Sequence, residues 1–359
     1  MTPIAVLEGL NARKPAALAR AISLVENGAP GFESILEALH ERLGRARRIG
    51  ITGPPGAGKS TLVERLTQAY REAGLAVGVL AVDPSSPFTG GALLGDRIRM
   101  ERQSLDSGVF IRSMASRGSL GGMATTTGEV ADVMDAYGFD RILIETVGVG
   151  QSELEVIRVA DTTVVVLVPE SGDGIQVMKA GLMEIADVFV VNKADRPGAD
   201  RLRQELEVAI GVRLGNAYRH VPAHHGLETG NPRFQESRRQ GDQTAGRQGD
   251  QGAGKIPAWE PPVVATVAVQ GGGIGELIAA LDRHFETLGA TGELERQRRR
   301  RLEQRTREVV DRALRRWMWS PEGPRPALDA ALAAVAAGHE SPYGAAERIV
   351  RTLTLSEGR

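Results

Sequence analysis

Cysteine is absent from this 359-residue chain, which excludes a disulfide-stapled secreted fold and any thiolate metal site. Aromatics are scarce at 4%, so a core has to be built from Val, Leu, Ile and Ala. Neither sign of charge dominates: 44 basic against 45 acidic side chains leave a net charge of -1, which gives no case for a nucleic-acid partner. No apolar run approaches the roughly 18 residues of a membrane span, and the N-terminus lacks a signal-peptide layout, so a cytoplasmic protein with no membrane partner is expected. Lysine is nearly missing as well. Five lysines (Lys14, Lys59, Lys179, Lys193, Lys255) stand against 39 arginines, which draws attention to the few places where lysine is kept.

What is present has a clear order. The length suggests two or three domains, or one large domain with additions. Residues 4–26 and 32–47 carry apolar positions at helical spacing, predicting a helical N-terminal arm over 1–47. From Arg48 the period changes: β-branched runs at 49–52, 76–82, 109–112, 141–145, 163–168 and 188–191 alternate with helix-length stretches. Continuous apolar strands with crossover segments between them predict an α/β fold, a mostly parallel sheet flanked by helices over 48–290. One more strand at 263–269 and one more helix at 274–288 complete it. A low-complexity insertion at about 235–255 repeats Arg239–Gln243 (RQGDQ) as Arg247–Gln251 and offers nothing to bury, so disorder is expected there. His224 and His225 lie near it without a third ligand.

The tail over 291–359 is helical in pattern. Residues 293–319 put Leu302, Val309, Val310, Ala313, Leu314 and Trp317 on one side and arginines elsewhere, with Glu293, Glu295, Glu303 and Glu308 breaking up the charge. A solvated, ion-paired arginine face is expected, with the apolar stripe seeking a subunit interface. Two further helices are predicted at about 326–337 and 343–354.

Chemistry enters at residues 53–60, GPPGAGKS, which fit G-x-x-x-x-G-K-[ST] between a predicted strand and a predicted helix. Gly53, Pro54, Pro55, Gly56, Ala57 and Gly58 form a loop whose backbone N–H groups can face phosphates. Lys59 can reach the terminal phosphates, Ser60 can ligate Mg²⁺, and Thr61 follows in the first helical turn. Asn192-Lys193-Ala194-Asp195 follows the strand at 188–191. Its aspartate can accept from both the ring N–H and the exocyclic amine of guanine, whereas adenine would leave it unpaired; GTP is therefore expected over ATP. Between the two, Glu145 ends a buried strand, where a carboxylate is costly unless a cation meets it, and Gly148 leaves room for a γ-phosphate. Asp83 ends another strand in VDPSSP, where turn-capping is the competing role, and Asp96 follows in a Gly-rich loop.

Together GPPGAGKST, VDPSSP with GALLGDRIRM, FIRSMASRGSLGG, IETVGVGQSE and VNKAD resemble the MeaB/MMAA family, also called ArgK or LAO/AO transport-system ATPases. The match runs from about Ile49 to Asp195, with weaker support from AVQGGGIGEL. The resemblance implies a P-loop GTPase core with a helical N-terminal arm and a C-terminal dimerisation arm. It further implies a G-protein chaperone that gates cofactor loading and protection of an adenosylcobalamin-dependent acyl-CoA mutase, chiefly methylmalonyl-CoA mutase. By motif, Ser60, Asp83, Asp96 and Glu145 would surround Mg²⁺, with Lys59, Glu145 and Asp83 catalytic, and Asn192, Lys193 and Asp195 would hold guanine. A third switch would fall on residues 170–179 with Asp173, Gln176 and Lys179, although Glu170-Ser171-Gly172-Asp173 departs from the Gly-Ala-Gly-Asp-like pattern of many relatives. The insertion also lies outside the family pattern.

Other functions have less to stand on. A nickel metallochaperone GTPase needs Cys and His clusters, and this chain has no Cys and six scattered His. A protein kinase of a periplasmic amino-acid transport system would transfer the same phosphoryl group to a protein. Cobalamin is expected on the partner: Asp282-Arg283-His284 begins a D-x-H-x-x-G signature but has Thr287 where glycine belongs. No residue declares itself as the group that positions the attacking water.

Overall fold

The computed structural model describes residues 2–83, 105–115, 123–146, 158–169, 182–214, 259–320 and 323–356. Seven strands form one sheet: β1 (Arg47–Thr52), β2 (Val77–Asp83), β3 (Val109–Ala115), β4 (Arg141–Thr146), β5 (Thr162–Leu167), β6 (Val188–Asn192) and β7 (Val263–Thr266). Their order is β3-β2-β4-β1-β5-β6-β7, and every neighbouring pair is parallel. The sequence demands this burial. All six residues of β5 (TTVVVL) and all five of β6 (VFVVN) are buried, as strands covered on both faces must be.

On one face, α1 (Pro3–Asn11), α2 (Pro15–Glu26), α3 (Phe32–Leu39) and α5 (Met123–Tyr137) share a core of Leu18, Ile22, Phe32, Ile35, Met134 and Ile142. On the other, α4 (Lys59–Glu72) and α8 (Ile274–Ala290) pack Leu62, Leu66, Leu277 and Leu281 against β1, β5 and β6. A third cluster joins the short α6 (Leu182–Ile185) and α7 (Ala199–Arg213) to Val165, Phe189 and Val191. No described helix is long and apolar enough to cross a membrane.

Three predicted spans change. The helix predicted over 4–26 divides because Arg13 takes φ 52° and Pro15, without an N–H to extend a helix, starts a new one. The span 32–47 stops at Leu39, passes through a 3-10 turn at His40–Arg42, and enters β1 at Arg47. The strand predicted over 263–269 ends at Thr266, and a 3-10 turn at Ala268–Gln270 replaces its last residues.

The largest departure concerns α9 (Glu293–Met318), which is followed by α10 (Arg325–Ala336) and α11 (Pro342–Ser356). Its arginines are not simply a solvated face. Arg298 and Arg301 both pair with Asp161, Arg305 with Asp132, and Arg312 with Glu129 at 2.6 Å, while Arg316 pairs with Glu33. These positions recur at alternating steps of three, four or seven, which puts them on one helix face. Guanidinium forks suit this task because each binds several acceptors: Arg298 also donates to Ala46 O at 2.9 Å and to Gly44 O. Only a minority of the arginines, such as Arg296 and Arg300 on Glu293, form pairs within the helix. The apolar stripe is the side left open, with Leu302, Val310, Leu314 and Trp317 all exposed. Leu328, Ala331, Ala345 and Ile349 close a small core between α10 and α11.

Candidate nucleotide site

The sheet order decides where ligand chemistry can gather. β1 lies between β4 and β5, so the loop leaving its C-terminal end sits where successive crossovers part to opposite sides, the usual crevice of an open α/β sheet. Residues 53–58 occupy that place and turn directly into α4. Two of its glycines are required by sterics. Gly53 has φ +137°, and a Cβ there would lie 2.1 Å from Val166 O of β5; Gly58 has φ +86°, and its Cβ would lie 2.4 Å from Asn192 Nδ2.

Lys59, 6% exposed, folds back over its own loop and donates to Gly53 O at 2.7 Å and Pro54 O at 3.0 Å. The ammonium therefore stands at the mouth of the loop, beside the N-terminus of α4, whose first N–H groups lack helical acceptors and carry positive potential. Ser60 Oγ donates to Glu145 Oε1 at 2.6 Å. Register explains that contact: Glu145 on β4 is level with Ile51 on β1, just below the loop, and the next pair is joined by Thr146 Oγ1 to Thr52 Oγ1 at 3.0 Å. Glu145 is 2% exposed, so a carboxylate and a hydroxyl converge in a nearly dry spot at the helix start. Both are hard oxygen donors, the set that suits Mg²⁺.

Asn192 ends β6 and is 3% exposed. Its Nδ2 donates to Ala57 O of the phosphate loop at 2.8 Å, while its Oδ1 accepts from Thr266 Oγ1 and from Ala268 N, each at 3.1 Å. The amide thus ties three segments together. Lys193 follows in the left-handed region at φ 55°, which turns the chain so that Ala194 N meets Thr266 O at 3.0 Å and Asp195 is presented exposed. The sequence-predicted residues Gly53 to Thr61, Glu145, Asn192, Lys193 and Asp195 are therefore brought to one end of the sheet. Asp83 closes β2 with its backbone level with Ala115. Its side chain, together with Asp96, Gly148, Asp173, Gln176, Lys179, His224, His225 and the 235–255 insertion, lies outside the described residues.

Sequence reasoning gave the segment after β7 no part in the site. Thr266 and the turn 267–272 are joined to Asn192, and the turn is closed by Val267 N to Gly272 O at 3.0 Å. Gly273, at φ +77°, starts α8 where a Cβ would lie 2.1 Å from Ala265 O. The available signal was a triple glycine between a strand and a helix.

The family model for the methylmalonyl-CoA mutase-associated GTPase MeaB matches residues 18–322. The chain belongs to the MeaB family. It is a GTPase. A Pyrococcus abyssi protein bearing a GTPase name is 47% identical over 294 residues, covering 82% of this chain and 79% of that one. The mouse mitochondrial methylmalonic aciduria type A homolog is 41% identical over 201 residues, covering 52% of this chain and 48% of its own. Among solved structures, the LAO/AO transport system kinase is 26% identical with a TM-score of 0.63, covering 98% of each chain. The seven-stranded parallel sheet with flanking helices is thus that of a P-loop GTPase of the MeaB family.

Proposed function

We propose that this GTPase is a nucleotide-controlled chaperone of an adenosylcobalamin-dependent acyl-CoA mutase, methylmalonyl-CoA mutase first among them, and that it works as a cytoplasmic homodimer. The match of 18–322 to a mutase-associated GTPase family is the observation that carries the partner assignment. The exposed stripe Leu302, Val310, Leu314 and Trp317 on α9 supports a second copy as its cover.

Within the site, the loop amides of residues 53–58 cradle the β- and γ-phosphates. Lys59 exchanges its two carbonyl acceptors for phosphate oxygens, and its ammonium offsets the charge that spreads over them as water attacks in line. Ser60 and Glu145 would hold Mg²⁺, with Asp83 and Asp96 as further carboxylates. Held by these residues, Mg²⁺ would supply positive charge to the β- and γ-phosphates. Asp195 reads the N1–H and exocyclic amine of guanine, Lys193 lays its stem beside the base, and Asn192 fixes both loops to each other. Gly148 and the segment carrying Asp173, Gln176 and Lys179 carry the γ-phosphate state to the partner. Cobalamin stays with the mutase.

The test is GTP turnover by the full-length protein, alone and with a purified mutase, with Lys59→Ala as background. Turnover that rises with the mutase, and co-purification that differs between GTP-analogue and GDP states, supports the chaperone function. Equal rates and equal capture refute it. Labelled γ-phosphate on a protein side chain instead of free phosphate would point to the kinase activity for which the LAO/AO structure is named.

A further inference from the structure

Arg65 stands under two turns into α4, six residues beyond Lys59, and is half-buried. Its fork reaches across to the turn after β7, donating from Nε to Ala268 O at 3.0 Å and from Nη2 to Val269 O at 2.5 Å. Two successive carbonyls held by one planar group fix the orientation of the peptide between them. In a trans peptide the N–H points opposite to the C=O, so with Ala268 O turned to Arg65 the N–H of Val269 is aimed away from α4.

That N–H is distinctive within its turn. Val267 N donates to Gly272 O at 3.0 Å, Ala268 N to Asn192 Oδ1 at 3.1 Å, Gln270 N to Val267 O at 2.9 Å, Gly271 N to Ala268 O at 3.1 Å and Gly272 N to Val267 O at 3.2 Å. Val269 N has no acceptor among the described residues, and the residue is 73% exposed. The turn is one hydrogen bond from Asn192, at the same end of the sheet as Asp195. A guanine ring whose N1–H and amine meet Asp195 still has a 6-keto oxygen that requires a donor, whereas adenine presents an amine there.

We propose, on the basis of the guanine-nucleotide function proposed above, that Arg65 is a positioning residue for base selectivity: it holds the Val269 N–H ready for the 6-keto oxygen and links the base-side turn to the phosphate-loop helix. Arg65 touches no substrate. It acts through the peptide that it orients.

The experiment uses full-length wild type, Arg65→Ala and Arg65→Lys, with affinities for GTP, 6-thio-GTP, ITP and ATP measured by displacement of a fluorescent GTP analogue, and with steady-state turnover. Sulfur is a weak acceptor, so 6-thio-GTP reports the bond to position 6, while ITP, which lacks the exocyclic amine, reports Asp195. Wild type should favour GTP over 6-thio-GTP by about tenfold. Arg65→Ala should raise the Kd for GTP by about tenfold and bring the GTP to 6-thio-GTP ratio towards one, leave the GTP to ITP ratio in place, and put its turnover loss on KM rather than kcat. Arg65→Lys, which can reach one carbonyl, should fall between. A 6-thio-GTP ratio unchanged in Arg65→Ala, or both ratios collapsing together, overturns the role of Arg65. A wild type with no preference for GTP over ATP refutes the guanine function itself, which distinguishes the two failures.

Discussion

Asp161 anchors α9 to the sheet, and replacing it by Asn is the sharpest test of how this chain is assembled. Its side chain is 1% exposed and accepts from Arg298 Nε at 3.1 Å, Arg298 Nη2 at 2.7 Å, Arg301 Nη2, and the backbone N of Arg48 at 3.1 Å. Burial on its own raises the carboxyl pKa, but the bonds from Arg298 and the charges of Arg301, Arg298 and Arg48 outweigh it and hold the group down at about 2. A folded-state pKa below the ordinary 3.8 contributes stability that is fully present above 3.8 and is lost as pH falls through about 2. The gap between the two, at about 1.4 kcal/mol per pH unit, is worth about 2 kcal/mol. Asn keeps an acceptor oxygen but removes the charge that three guanidiniums share, so at pH 7 the variant should lose about 3–5 kcal/mol, the usual cost of breaking a buried pair from one side. Trp317 and Trp319 at the end of α9 report release by fluorescence during urea titrations from pH 7 to pH 2. Wild type should lose about 2 kcal/mol more than Asp161→Asn between pH 5 and pH 2. A variant within about 0.5 kcal/mol of wild type at pH 7, with a parallel pH profile, refutes the anchoring.

Two other perturbations address single contacts. Gly58→Ala forces a Cβ to within 2.4 Å of Asn192 Nδ2 in a backbone with φ +86°, so GTP affinity should fall by about tenfold or more, measured by isothermal titration; normal affinity would show that Asn192 does not clamp the loop. Glu129→Gln leaves Arg312 without its carboxylate at 2.6 Å and should cost about 1.5–3 kcal/mol, seen as faster proteolysis after α9 arginines with GTP KM unchanged.

The parts of this structure that are legible in the sequence are those governed by local rules. All seven strands begin and end within three residues of the apolar runs, because a strand buried on both faces has to be apolar throughout. The phosphate loop is legible because φ values near +80° and a close approach to Val166 leave glycine as the fitting residue, which writes itself into the sequence as a pattern. Asn192 and Asp195 stand together in one motif, but their division of labour is not local: Asn192 spends its amide on Ala57, 135 positions away, and on Thr266 and Ala268, 74 and 76 positions away along the chain. The arginine face of α9 was misjudged for a similar reason. Its charge pattern suggests pairing with the glutamates on the same helix, but Asp161 sits just before β5 and Asp132 and Glu129 on α5, where periodicity gives no hint of their partners. Polar residues in buried places are paired by tertiary structure, and no local period records it.

A parallel sheet also separates what this chain does at its two ends. Asp161 acts just before β5 and on Arg48 near the start of β1, whereas Gly53 follows Thr52 at the end of β1 and meets Val166 on β5. Four residues of strand from Arg48 to Thr52 span about 13 Å, beyond the 7–10 Å within which substitutions usually couple. β5 is buried throughout and β1 from Ile49 onward, and both are hydrogen-bonded on both sides, so they move as a body or not at all. Asp161→Asn and Gly58→Ala should therefore be additive to within about 0.5 kcal/mol in stability, and Asp161→Asn should leave the GTP Kd within about twofold of wild type. The double-mutant cycle decides this in one series of urea titrations with and without GTP. A coupling above about 1 kcal/mol that appears only with nucleotide bound would show that the docking of α9 senses the phosphate loop through the sheet, and the separation of the two ends would have to be abandoned.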